Sequence, residues 1–280
     1  MKFKYLIIAF SIIIVLIVLV MVLTPLFITD TNDSMFGLVS SLRHISLPLL
    51  LIMILLLGFM GIFFFFNYRL LSLLEREDWP ALAYYLEQKI YVKGRYNARF
   101  VKLLASSYLV TSDYRSVLQL ESKTMLARPS LIDKNALIFG AARVLSGNHT
   151  EAAAFFNTRL EKNRNKTGSK TTWLNWFYGF SQLLAGNYAM AQPVFTSLAN
   201  SSHDVVVVGI SAYFLDTFIA KNSDTPEKHK ADAKEARLSV VKSIKNPQEW
   251  NKEIFEIGGE VHVAIIRKYI DEAGEWLFSS

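Results

Sequence analysis

Residues 5–28 and 45–66 are two long apolar stretches, and together they constrain this chain more than any other feature. Only Ser11, Thr24 and Pro25 break the first, and the second holds Ser46 and Pro48 but no charge. As helices rising about 1.5 Å per residue, each is long enough for the roughly 30 Å hydrocarbon core of a bilayer. A cleaved signal peptide is the competing reading of the first stretch. Such signals carry an apolar core of only about 7–15 residues before a small-x-small cleavage site, and no such site follows here. Lys2 and Lys4 precede the first stretch, while Arg43 stands in the connecting segment beside Asp30 and Asp33. Arg69, Arg76, Lys89, Lys93, Arg95, Arg99 and Lys102 follow the second. Cations concentrate on the cytoplasmic side of membrane helices. The expected arrangement is therefore a helical hairpin over residues 1–66, with both termini in the cytoplasm.

The remaining composition narrows the fold class. The chain has 280 residues, 52% of them hydrophobic, with 13 Gly and 7 Pro, too few for a disordered or all-β chain. It has no Cys, which removes disulfides, thiolate metal sites and thiol nucleophiles. Net charge is +6. That small excess comes with no nucleic-acid-binding motif, so nucleic acid is not an expected partner.

Beyond residue 66 the apolar residues become periodic, and the sequence repeats itself. Ala136–Arg159 reads ALIFGAARVLSGNHTEAAAFFNTR, and Asn175–Leu198 reads NWFYGFSQLLAGNYAMAQPVFTSL. Aligned, Gly140 meets Gly179, Gly147 meets Gly186, Ala152 meets Ala191 and Phe156 meets Phe195, each 39 residues on. In both units a small residue is followed by Gly at +7, Ala at +12 and Phe at +16. One step upstream, Ala105 takes the small position, Ser112 the turn and Tyr114 the turn aromatic, with Val117 and Glu121 replacing the later Ala and Phe. A further step of 35 reaches Leu70, with Glu77 at the turn and Trp79 after it. No Gly or Pro lies between Ile62 and Trp79, so the second apolar helix is expected to run on into the first hairpin. Downstream, an apolar helix is predicted over Val205–Ala220 and an amphipathic one over Pro226–Ile244, entered through Thr225 and Pro226.

This pattern resembles the tetratricopeptide repeat (TPR), a helix–turn–helix unit of about 34 residues. The resemblance covers roughly residues 67–245. It implies an all-α protein: a two-helix transmembrane hairpin, a TPR-like α-solenoid of about four to five helix pairs, and C-terminal capping helices over 246–280. It also implies a concave groove lined by the first helix of each pair. The groove positions hold Arg99, Lys102, Ser106 and Leu109, then Lys134, Leu137, Ala141 and Val144, then Trp173, Trp176, Phe180 and Leu183. Of these, Arg99, Lys102, Lys134, Trp173, Trp176 and Phe180 are the candidate partner-binding residues. The competing reading makes the aromatic ones core and the basic ones a solvated face. The family's clamp for chaperone C-termini pairs Lys with Asn four residues later. Here Lys102 is followed by Ser106, so the clamp is not expected.

Lys89, Lys93 and Arg95 lie soon after the second apolar stretch and are candidates for contact with anionic lipid, each cation adding up to about 1 kcal/mol before screening. No phosphate-cradling Gly loop, H-E-x-x-H or G-x-S-x-G motif occurs, and the five His are scattered. No enzyme activity, cofactor or metal is therefore expected. The expected function is a membrane-anchored scaffold that holds a partner protein at the cytoplasmic face of a bacterial inner membrane, with homo- and hetero-oligomers both open. The alternative is a subunit of a larger membrane complex for secretion, envelope or flagellar motor assembly, in which the hairpin carries the function. The layout is similar to that of the repeat-bearing inner-membrane protein associated with haem biosynthesis in proteobacteria, although only the layout is shared.

Overall fold

A computed structural model of the chain describes residues 36–164, 168–258 and 260–279, together with Ser11, Ile12, Ile14, Val15 and Leu19. Those five residues are helical; the rest of the apolar stretch at 5–28 lies outside the described residues. Among the described residues every regular element is helical, and the chain divides into two compact units at Tyr85/Leu86.

In the first unit α1 runs from Phe36 to Glu75, 40 residues or about 60 Å. It is longer than the predicted span at 45–66 at both ends, so Pro48 lies inside it rather than near its start. Within it, Leu55–Glu75 is long and apolar enough to cross a membrane, and almost none of it is buried. Phe59, Phe65, Phe66 and Tyr68 are all more than 70% exposed, which in water would be an unpaid hydrophobic cost. Asp78 then caps α2 (Trp79–Glu87) by accepting from Ala81 N at 3.1 Å.

The second unit begins as helix gives way to a π-helical turn, Gln88–Val92. Pairs of helices follow. They are α3 (Ala98–Val110) with α4 (Tyr114–Ala127), α6 (Ala136–Leu145) with α7 (His149–Lys162), and α8 (Ser169–Leu184) with α9 (Tyr188–Ser201). The short α5 (Ser130–Lys134) leads into α6 and is broken from it at Asn135. The fourth pair is α10 (Val205–Phe214), extended by a π turn over Leu215–Ile219, with α11 (Pro226–Ser243). First helices pack on first helices: α3 against α6, α6 against α8, and α8 against α10. Although Val205–Asn222 also passes as apolar enough to cross a membrane, most of it is buried, and it serves as a core helix of this unit.

One turn geometry recurs through the chain. Glu77, Ser112, Gly147 and Gly186 have φ of +54°, +57°, +81° and +78°. At each, the turn residue's N–H donates three residues back and the next N–H donates five residues back. At the third turn, Gly147 N reaches Val144 O and Asn148 N reaches Arg143 O, both at 3.1 Å. This is the Schellman ending, which satisfies carbonyls a helix end leaves bare. The sites are 35, 35 and 39 residues apart, the spacing read from the sequence. Two of the four turns do this without glycine.

Small residues set how closely the pairs cross. A Cβ on Gly140 would stand 2.1 Å from Phe156 Cζ, and one on Gly179 would stand 2.9 Å from Val194 Cγ1. Ala105, Ala152 and Ala191 are fully buried. In the α3–α4 pair the aromatic's place is taken by Glu121, which is buried and accepts from Arg143 at 2.5 Å.

Three helices close the unit: α12 (Pro247–Ile257), α13 (Val261–Ile265) and α14 (Arg267–Phe278). They do more than cover its end. While α14 packs on α10 and α11, α13 reaches back to α6. Trp250 of α12 occupies the room that Gly209 and Gly274 leave: a Cβ on either would come within 2.8 Å of its indole.

Candidate functional site

The layer of first helices carries the residues singled out from the sequence, and the C-terminal segment divides them into two groups. Trp176 and Phe180 are 0% and 4% exposed. Trp176 stacks on Phe180 at 5.0 Å and meets Phe177, Phe195 and Phe214 edge-on, while Phe180 also meets Tyr269 of α14. These two residues are core, not groove lining. The apolar faces of α10 and α14 cover this stretch of the layer and bury its rings, as apolar area demands when the chain itself can supply the cover.

The other group surrounds an opening. Between α3, α5, α6, α8 and the C-terminal segment lies a cavity of about 370 Å³. Four of the predicted groove positions line it: Lys102, Lys134, Leu137 and Trp173, three of them candidate partner-binding residues. Arg99 is exposed and does not line it. The walls are Leu137, Ile138, Trp173 and Ile257. Trp173 is 2% exposed and is fixed by donating from Nε1 to Asp204 Oδ2 at 3.1 Å. Asp204 in turn caps α10 through the backbone N–H groups of Val206 and Val207. The break between α5 and α6 places Lys134 and Asn135 at the rim, and Asn135 Nδ2 donates to Leu131 O at 3.0 Å.

The charge around the cavity is mostly positive. Lys102, Lys134, Lys170 and Glu260 are the charged residues that line it, and Glu260 accepts from Lys102 Nζ at 2.7 Å. Lys170 Nζ donates to the backbone carbonyls of Asp133 and Lys134. Asp133 is engaged by Lys162 at 2.6 Å and Arg159 at 3.0 Å. Burial alone would raise the Asp133 carboxyl, but the bonds from Lys162 and Arg159 outweigh it and hold the group below its usual range. His262 is buried against Trp173, ring centroids 5.1 Å apart, and against Phe177 at 6.1 Å. Burial pushes its pKa down to about 4, with Glu260 opposing, so the imidazole is neutral at pH 7.

Asn135, Ser169, Lys170, Ile257, Glu260 and His262 were not among the residues the sequence singled out. The last three belong to the segment expected only to cap the array. Their one sequence signal is the apolar face that Trp250, Ile254, Val263, Ile266 and Ile270 make along that segment. Of the candidate lipid-facing residues, Lys93 and Arg95 are exposed and Lys89 is half-buried, grouped around the π turn at Gln88–Val92. Among the described residues no three His, Asp or Glu side chains converge on a metal position.

Residues 116–279, more than half of the chain, match a family model described as an uncharacterised Treponema protein. The chain belongs to that family. The matched stretch contains every residue lining the cavity except Lys102. The chain is also similar to a protein of Treponema pallidum (strain Nichols) described as an uncharacterized protein. The two are 28% identical over 225 residues, covering 76% of this chain and 69% of the relative. No solved structure matches.

Proposed function

We propose that this protein is a membrane-anchored scaffold whose TPR-like array holds a partner protein at the cytoplasmic face of a bacterial inner membrane. The observation that carries this reading is the recurrence of one turn at Glu77, Ser112, Gly147 and Gly186, joined to an exposed apolar helix. Rigid pairs stacked in one direction offer a continuous surface, and such arrays generally serve by presenting it. Gly140 and Gly179 at the closest crossings agree with the TPR pattern. The membership in a treponemal family agrees with a bacterial membrane.

The basic part of the surface is the docking region in this reading. Arg99 and Lys102 are exposed or half-exposed, and they suit an acidic partner segment through charge steering. Trp176 and Phe180 take no part, because they are closed off. Lys93 and Arg95, with Lys89 beside them, would lie against anionic headgroups.

The test is crosslinking and affinity recovery from native membranes, comparing wild type with an Arg99→Glu/Lys102→Glu variant. One partner lost selectively in the variant is the expected result. Recovery of no stoichiometric partner from wild-type membranes would overturn the scaffold reading. The second reading, a complex subunit acting through its hairpin, is favoured by α1 running unbroken from the apolar stretch to the first turn. Function retained after exchange of residues 1–66 for an unrelated two-span anchor would eliminate it.

A further inference from the structure

Leu126, in the last turn of α4, is 88% exposed, more than Phe59, Phe65 or Phe66 of α1. The core face of α4 is complete without it, since Val117, Leu120 and Thr124 are fully buried. Val92, which ends the π turn, is 71% exposed. A single exposed apolar residue needs no explanation, but these two stand on joined segments. Lys123, one helical turn before Leu126, sets its Nζ 3.9 Å from the centroid of the Tyr91 ring, and Tyr91 is the chain neighbour of Val92. The end of α4 is thereby held against the π turn. The chain around both is basic. Residues 88–102 and 122–132 contain no Asp or Glu, while Lys93, Arg95 and Arg128 are exposed. Glu87, at the border of the first of these stretches, accepts from Tyr108 Oη at 2.5 Å.

We propose that the π turn and the end of α4 form one edge that enters the headgroup layer of an anionic bilayer. Val92 and Leu126 reach the upper acyl region, and Lys93, Arg95 and Arg128 meet lipid phosphates. Exposed apolar side chains flanked by cations are the composition of interfacial membrane contacts. Apolar area alone would suit any apolar partner, and cations alone any acidic one. Acidic headgroups over acyl chains satisfy both at once. An acidic protein segment could pair the cations, but it would have to bring its own apolar cover for Leu126. The chain's continuity points the same way. Gln88 comes 13 residues after the end of α1 at Glu75, and so short a tether keeps the edge at high effective concentration beside a bilayer that α1 crosses. This inference rests on the reading of α1 as a membrane helix. It deepens the lipid role of Lys93 and Arg95 by adding the end of α4 and two apolar side chains that insert.

The chain has no Cys, so one introduced thiol gives one label. Val92→Cys, Leu126→Cys, Leu56→Cys and Leu238→Cys each carry the fluorophore NBD on the full chain. The discs hold phosphatidylcholine alone, or phosphatidylcholine with one phosphatidylglycerol in three lipids. Leu56 reports on α1, and Leu238 is an exposed apolar residue of α11. Nitroxide-bearing phosphatidylcholine quenches a label that lies among lipids. With phosphatidylglycerol present, Val92→Cys and Leu126→Cys are expected to be quenched at least twofold more than Leu238→Cys. That excess should disappear in phosphatidylcholine alone and in a Lys93→Glu/Arg95→Glu background. Raised salt should remove it too, which keeps the test independent of how that background folds. Quenching at Val92→Cys and Leu126→Cys no greater than at Leu238→Cys would overturn the proposal, while quenching at Leu56→Cys would leave the membrane helix standing. Absence of quenching at Leu56→Cys as well would remove the anchor, and this inference with it. Equal quenching of Leu126→Cys in the two lipid mixtures would mean a contact indifferent to headgroup charge, and that also overturns the proposal.

Discussion

Gly140→Ala tests the packing on which the array rests. The added methyl carbon would stand 2.1, 2.4 and 2.8 Å from Phe156 Cζ, Cε1 and Cε2. A ring tip can swing aside where space allows, but Phe156 is 0% exposed, stacks on Phe177 at 5.6 Å and meets Phe155 edge-on at 5.8 Å. The methyl group must therefore be accommodated by spreading α6 from α7. Overpacking costs about 1–3 kcal/mol, and three ring atoms within 3 Å place this site at the upper end. Ala gains about 1 kcal/mol over Gly in a helix, leaving a net loss of about 2 kcal/mol. For a unit of this size that lowers Tm by roughly 4–8 °C, read by circular dichroism at 222 nm. Gly179→Ala meets the Val194 side chain at 2.9 and 3.2 Å and should lose less. In a Phe156→Leu background, where the ring is gone, Gly140→Ala should cost almost nothing, giving a coupling of 1 kcal/mol or more. A Gly140→Ala chain as stable as wild type would refute the close-crossing argument, as would additivity with Phe156→Leu.

Ser112→Gly should stabilise the chain by about 0.5–1 kcal/mol, because a side chain at φ +57° is strained by more than the added chain entropy costs; chemical denaturation measures it. Arg143→Met leaves Glu121 buried without its ion-pair partner, and its stability should fall by about 3–5 kcal/mol, with Glu121→Gln/Arg143→Met recovering much of the loss. His262 titrates near 6.5 unfolded and about 4 folded, so the unfolded chain binds more protons between those values. Its contribution is complete above about pH 6.5 and is lost toward pH 4, by roughly 3 kcal/mol in all. In Tm–pH profiles the His262→Phe chain should lack that part of the acid sensitivity. The Asp133 carboxylate, depressed by Lys162 and Arg159, should lose its contribution only below about pH 4; Asp133→Asn should remove that step.

Local rules made most of the helical pattern legible. Asp78, Asn97 and Asp113 cap α2, α3 and α4, Pro247 opens α12, and the turns at Glu77, Ser112, Gly147 and Gly186 fall where the repeat spacing puts them. Glu121 was legible only as a departure from the repeat; its partner Arg143 lies 22 residues on, and nothing local pairs them. The start of α1 was missed because the apolar count begins at Ile45 while the backbone is already helical from Phe36. Polar residues such as Ser40, Ser41 and His44 lower the hydropathy of that turn without stopping a helix.

The groove shows where repeat reasoning stops. Position within a repeat tells which face of the first helix a side chain occupies, and Trp173, Trp176 and Phe180 do share the face of the layer. It says nothing of what lies over that face. Here the answer is written about 90 residues later, in Tyr269 and His262, whose rings complete those of α8. A face carrying two Trp and a Phe would be a strong docking surface if open, and burying such rings is worth several kcal/mol. The same strength draws in the chain's own C-terminal helices. Around Lys102, Lys134 and Lys170 the face carries ammonium groups that resist burial, so the cover stops short and the cavity remains. The division of this face into a closed aromatic half and an open cationic half thus follows from side-chain chemistry.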